Sequence, residues 1–137
     1  MKKTVYQTSV SVTGGRNGKV VSEDGLLELD VRMPNSLGGN GGATNPEQLF
    51  AAGYAACFDS ALNMVAQQEG LKISSEINAK VSLQMSETEG FNIAAELTAK
   101  IEGVAKDTAE KLLNMAHATC PYSKAISGNV EVSVSLA

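Results

Sequence analysis

Between Asn45 and Gly70 the sequence specifies a helix that the rest of the chain has to accommodate. Asn45 supplies a side-chain cap, Pro46 suits the first helical position, Glu47 puts an acid in the first turn, and Gln48 closes a capping box. Gly70 ends the run, because glycine readily takes the conformation that closes a helix. Residues 46–69 extend over roughly 36 Å at 1.5 Å per residue, and the stretch 49–58 is apolar all round. A helix of that kind is expected to be buried on every side, inside a wrapped sheet or at a subunit interface. Its unbroken apolar run closes at Asp59 after ten residues, short of the roughly 20 that a membrane span needs, so no membrane crossing is expected.

The flanking sequence reads as strands. Residues 4–13 alternate, with Tyr6, Thr8, Val10 and Val12 on one face, as in a half-buried strand. A turn at Gly14-Gly15-Arg16-Asn17-Gly18 precedes two more strands, 19–22 and 26–33, which complete a three-strand meander. After Gly70, Ile77-Ala79-Val81-Leu83-Met85 and Phe91-Ile93-Ala95-Leu97-Ala99-Ile101 form two strands with side chains in register, joined by a turn over 87–90. Asp107-Thr108-Ala109-Glu110 caps a second helix that carries Leu112, Leu113 and Ala116 to the core, and Pro121 ends it near Cys120. A last strand holds Val130, Val132 and Val134. The order is βββαββαβ, the class is α+β, and 137 residues suit one domain over 1–137.

Charge narrows the partners. The net charge is −4 and the 11 basic residues are dispersed, so neither nucleic acid nor an anionic membrane surface is an expected partner. Lys2 and Lys3 have no apolar segment behind them, which argues against a secretory signal and for the cytoplasm. The glycine-rich loop over 38–42 is a poor phosphate cradle, because no Gly-Lys-Ser/Thr follows it and Glu47 would repel an anion.

That leaves Cys57 and Cys120, the only two cysteines. In an alanine-rich helix Cys57 reads first as a small core residue, whereas Cys120, at a helix end, is the easier thiol to expose. A reactive Cys57 must form a thiolate, although an ordinary thiol has a pKa of about 8.5. The helix dipole acts too far away, since Cys57 stands twelve positions past Asn45, so a side-chain cation is needed. Arg16, on a glycine-flanked turn, suits that role better than Arg32 in the polar register of a strand. His117, Cys120 and Cys57 make a poor zinc set, with one histidine and no Cys-x-x-Cys. His117 reads as a helix-end residue favoured by the dipole.

Ala43-Thr44-Asn45-Pro46-Glu47-Gln48-Leu49-Phe50-Ala51-Ala52-Gly53-Tyr54-Ala55-Ala56-Cys57-Phe58, followed by Cys120-Pro121-Tyr122-Ser123-Lys124-Ala125, resembles the OsmC/Ohr family, and within it the organic hydroperoxide resistance proteins. The Arg16 turn, the glycine-rich loop and the final strands fall where that subfamily has them, so the resemblance covers essentially the whole chain. It implies an OsmC-like fold in an intertwined homodimer and assigns roles: Cys57 attacks the peroxide, Cys120 resolves, and Arg16 with Glu47 activates Cys57. The implied chemistry is reduction of an alkyl or lipid hydroperoxide to an alcohol through a Cys57 sulfenic acid and a Cys57–Cys120 disulfide. A dihydrolipoyl group on a partner protein is the implied reductant, and no cofactor or metal is called for. Phe50 and Phe58 are expected as apolar lining that favours organic over hydrogen peroxide.

Helix geometry adds a constraint to these roles. Ten residues of unbroken helix put Glu47 and Cys57 roughly 15 Å apart, too far for one peroxide to touch both. Either the helix breaks near Gly53, or Arg16 and Glu47 come from one subunit and the cysteines from the other. Two rival readings share the sequence: an osmotically inducible OsmC-type peroxidase of broader substrate range, and a non-catalytic small-molecule binder in which both cysteines merely pack.

Overall fold

The alternation in the first third of the chain does yield a three-stranded meander, but a shorter one than its pattern implies. The computed structural model describes residues 1–137, which divide into two compact units, Met1–Leu49 and Phe50–Ala137. In the first, β1 (Val10–Thr13), β2 (Gly18–Ser22) and β3 (Glu28–Val31) pair antiparallel in that order, with Val12 opposite Val20 and Val20 opposite Leu29. Residues 4–9 form no strand, and Val10 and Val12 stand 45% and 54% exposed, so the half-buried strand read over 4–13 is corrected. Alternation buries a face only where something packs on it, and here Val20, Ser22 and Val31 are the buried residues.

The long helix α1 (Pro46–Gln68) begins and ends where its signals put it. The Asn45 side-chain oxygen accepts the Gln48 N–H at 2.9 Å, while the Gln48 side chain takes the Thr44 hydroxyl at 2.8 Å and leaves its half of the capping box unmade. Gly70 follows with φ +71°. Burial is one-sided: Tyr54, Phe58, Ala61, Leu62, Val65 and Ala66 face inward, whereas Ala52, Ala56 and Met64 are exposed. The expectation of burial on every side is therefore corrected for the single chain, since a three-stranded sheet covers only one face of a helix. By length and composition alone, with a mean hydropathy of 1.3, α1 is long and apolar enough to cross a membrane, which the shorter uninterrupted run does not reveal. Its inward face is the core of the second unit.

In that unit β4 (Ser74–Ser86) and β5 (Gly90–Glu102) form a long antiparallel hairpin, with Leu83 opposite Ile93. Ala95, Leu97 and Ala99, two residues apart, turn one face of β5 into the core. Helix α2 (Lys106–Thr119) buries Leu112, Leu113 and Ala116 as expected, but starts without a side-chain cap, and Asp107 lies inside its first turn. Pro121 does more than end α2: it opens a further helix, α3 (Pro121–Ile126), for which its fixed backbone suits the first position. The order is thus βββαββααβ, one short helix more than the sequence pattern gave. Strand β6 (Glu131–Leu136) returns beside β5 in parallel, so α2 and α3 are the crossover that such a pairing requires.

Leu62, on the inward face of α1, is fully buried in the cluster that also holds Phe58, Leu97 and Leu112. Leu62→Ala is expected to destabilise the protein by about 2–5 kcal/mol through lost burial and the cavity left behind. Equilibrium denaturation checks this, and a loss below about 1 kcal/mol would contradict the packing described.

Candidate active site

Two groups of polar or reactive side chains stand out, one in each unit. In the first, a 3-10 turn, Gly15–Asn17, lifts Arg16 between β1 and β2. Gly14 enters that turn at φ +77°, and a Cβ there would lie 2.7 Å from the Asn17 carbonyl oxygen, so only glycine fits. Both terminal nitrogens of Arg16 donate to Glu47 on the first turn of α1, at 2.7 and 2.9 Å, a bidentate pair. The guanidinium holds the Glu47 carboxyl below its ordinary pKa against the upward push of burial, and the carboxylate keeps Arg16 charged. Arg32, the other cation weighed, is tied to backbone carbonyls of Gly18 and Val31 at 3.0 and 2.7 Å. The amides of Gly38, Gly39 and Gly41 in the glycine-rich loop bond to carbonyls of Asn35, Pro34 and Met33.

In the second unit Cys57 and Cys120 are both free thiols, and their exposure is the reverse of the sequence expectation. Cys57 is half-buried, whereas Cys120 is fully buried at the junction of α2 and α3. Burial pushes the Cys57 thiol up from its ordinary pKa, the Tyr122 N–H pulls it down, and the neighbouring Cys120 thiol pushes it up again. The Tyr122 donor is free for this because it stands at the second position of α3, where a helix leaves its N–H without an internal partner. The structure brings the two cysteines together in the second unit and pairs Arg16 with Glu47 in the first.

Around the thiols lies an aromatic group of which the sequence disclosed Phe50 but not Tyr54 or Tyr122. The Tyr54 and Tyr122 rings stack with centroids 5.9 Å apart, and Phe50 meets Tyr54 edge-on at 5.8 Å. Gly53 is the seat of the Tyr122 ring, since a Cβ there would come 3.0 Å from the Tyr122 hydroxyl oxygen. Helix α1 runs through Gly53 without a break, which removes the first of the two geometric alternatives. Phe58 is a fully buried core residue beside His117, so it does not line an opening as expected. His117 is more than a helix-end residue: its Nδ1 bonds the Ser123 hydroxyl at 2.9 Å, and Ser123 bonds Tyr54 at 2.7 Å. The three-residue steps from Tyr54 to Cys57 and from Cys120 to Ser123 were the available signal.

The fold and these residues define an α+β dithiol protein, in which a long helix presents one cysteine to another held at a helix junction. The family model described as OsmC-like protein matches residues 38–135. Organic hydroperoxide resistance protein OhrA of Bacillus subtilis is 49% identical over 100% of this chain and 99% of its own length. The organic hydroperoxide resistance protein of Xanthomonas axonopodis is 44% identical over 99% and 97%. A crystal structure of an organic hydroperoxide resistance protein from Legionella pneumophila superimposes with a TM-score of 0.95 at 49% identity, covering 98% of this chain and 99% of that one. The chain belongs to the OsmC/Ohr organic hydroperoxide resistance family.

Proposed function

We propose that this protein is a cysteine-dependent peroxidase that reduces organic hydroperoxides to alcohols and so protects the cell against organic peroxide stress. The observation that carries the reading is the pair of free, neighbouring thiols, one half-exposed and one buried, in a chain whose full-length relatives are named for organic hydroperoxide resistance. Cys57 thiolate attacks one peroxide oxygen, the O–O bond breaks, and the alkoxide leaves as alcohol after taking a proton. The resulting sulfenic acid condenses with the Cys120 thiol, forming the S–S bond and releasing water. A dihydrolipoyl group on a partner protein then returns the disulfide to two thiols by exchange.

Burial alone leaves Cys57 protonated, so activation calls for a cation, and Arg16, held charged and oriented by Glu47, is the one assigned. Glu47 and Cys57 stand ten residues apart on unbroken α1, roughly 15 Å along its axis. Arg16 and Glu47 of one copy therefore serve the cysteines of a second in an intertwined homodimer. The exposed outer face of α1 at Ala52, Ala56 and Met64, and the exposed Val5, Tyr6, Val10 and Val12, support a second copy. Cytoplasmic residence fits two cysteines kept as thiols.

Stopped-flow consumption of cumene hydroperoxide and of hydrogen peroxide by the dithiol protein, followed by mass analysis, tests the reading. Fast reaction selective for the organic peroxide, with loss of two hydrogens from a Cys57–Cys120 pair, is expected. Slow reaction with both oxidants and no disulfide would leave a binding protein on the same fold.

A further inference from the structure

Two links join α1 to the junction of α2 and α3. One is the cysteine pair; the other is the hydrogen bond of 2.7 Å between the hydroxyls of Tyr54 and Ser123. Tyr54 stands three residues before Cys57, and Ser123 three residues after Cys120, so the two links lie side by side like rungs of a ladder. Both hydroxyls are buried, with Tyr54 at 0% and Ser123 at 3% exposure, and His117 Nδ1 on α2 completes the chain at 2.9 Å from Ser123. With Nδ1 accepting from Ser123, and Ser123 accepting from Tyr54, each buried hydroxyl donates once and none is left unpaired.

The backbone of Cys120 leaves it little freedom of its own. Its N–H donates to the Ala116 carbonyl at 2.8 Å, and its carbonyl accepts the Lys124 N–H at 3.0 Å. The position of the Cys120 sulfur therefore follows that of the two helices it joins, and beside the shared apolar core Ser123 gives those helices a polar tie to α1. A disulfide tolerates only a narrow range of Cβ separations, about 3.5–4.5 Å, so small displacements of the junction bear heavily on closure.

We propose that Tyr54, Ser123 and His117 are positioning residues that set the effective concentration of the Cys120 thiol at Cys57. The proposal rests on the peroxidase reading only for its bearing on turnover, because effective concentration is a property of the dithiol itself. It is read from the equilibrium in which the protein dithiol and oxidised glutathione exchange to the protein disulfide and two reduced glutathiones.

Wild-type protein, Tyr54→Phe, Ser123→Ala, Ser123→Thr and His117→Leu, each checked by thermal melting, are equilibrated with glutathione redox buffers. Tyr54→Phe, Ser123→Ala and His117→Leu are expected to lower the effective concentration about tenfold, which raises the reduction potential by about 30 mV. Ser123→Thr, which keeps the hydroxyl, is expected to stay within about twofold of wild type, a rescue that general loosening would not give. The proposal is overturned if all variants match wild type, or if Ser123→Thr falls as far as Ser123→Ala. No peroxide enters the experiment, so a tenfold loss upholds this inference even for a protein inert toward hydroperoxides, and that inertness would count against the peroxidase reading alone.

Discussion

Cys57→Ser should abolish hydroperoxide consumption, while Cys120→Ser should consume one equivalent per chain and stop. The difference follows from where each sulfur sits. Cys57 is the half-exposed thiol with an amide directed at it, and a serine hydroxyl in its place neither ionises near neutral pH nor takes up an oxygen atom. Cys120 is fully buried and meets only what Cys57 has become. Without it the first oxygen transfer proceeds, and Cys57 is left as a sulfenic acid that dimedone can trap. Stopped-flow consumption with mass analysis of the trapped adduct reads both outcomes. If Cys57→Ser retained turnover, or the dimedone adduct of Cys120→Ser fell on another residue, the roles assigned to the two cysteines would be wrong.

Arg16→Ala should slow peroxide attack and raise the pKa at which the rate reaches half its maximum. An opposite charge beside an ionisable group favours its charged form, so without Arg16 the thiolate fraction at neutral pH, and the rate with it, should fall by about tenfold or more. Removing Arg16 also strips Glu47 of its bidentate partner, and the carboxyl returns upward toward its ordinary pKa. Because Glu47 is lowered in the folded state, the stability it contributes is present above its unfolded pKa of about 4.3 and is lost as pH falls through the lowered value. The melting-temperature gap between wild type and Arg16→Ala should therefore be widest near neutral pH and narrow in acid. A rate and a pH profile both unchanged in Arg16→Ala would remove Arg16 as the activating cation.

What the sequence disclosed depended on how local each feature was. The caps at Asn45 and Pro46 and the stop at Gly70 act within one turn, and α1 starts and ends at them. The alternation in β4 and β5 survived because α1 and α2 pack on one face of that hairpin, whereas the same alternation over residues 4–9 met no covering layer and made no strand. Pro121 misled because proline both ends helices and opens them, and six residues are too few to show a helical period. The meeting of Tyr54 with Ser123 spans 69 positions, and no local pattern encodes it. Arg16 was legible as a cation on a rigid turn, but the bidentate fork to Glu47 depends on how far α1 stands from that turn, which residue spacing does not give. The exposure of the two cysteines came out reversed because the sequence reading judged each on its own helix, and Cys120 is buried by the packing of several elements together.

The stacking of Tyr54 on Tyr122 also makes the protein its own optical indicator. The chain contains no tryptophan and three tyrosines. Tyr6 is exposed and makes no ring contact, while the buried Tyr54 stacks on the partly exposed Tyr122 beside the cysteine pair, their planes 30° apart. The near-ultraviolet circular dichroism of the native protein therefore arises chiefly from the two rings that must respond when a bond forms between the sulfurs. Oxidation state can be followed by that signal without a label, the tyrosine band above about 275 nm changing alongside the dichroism of the new disulfide itself.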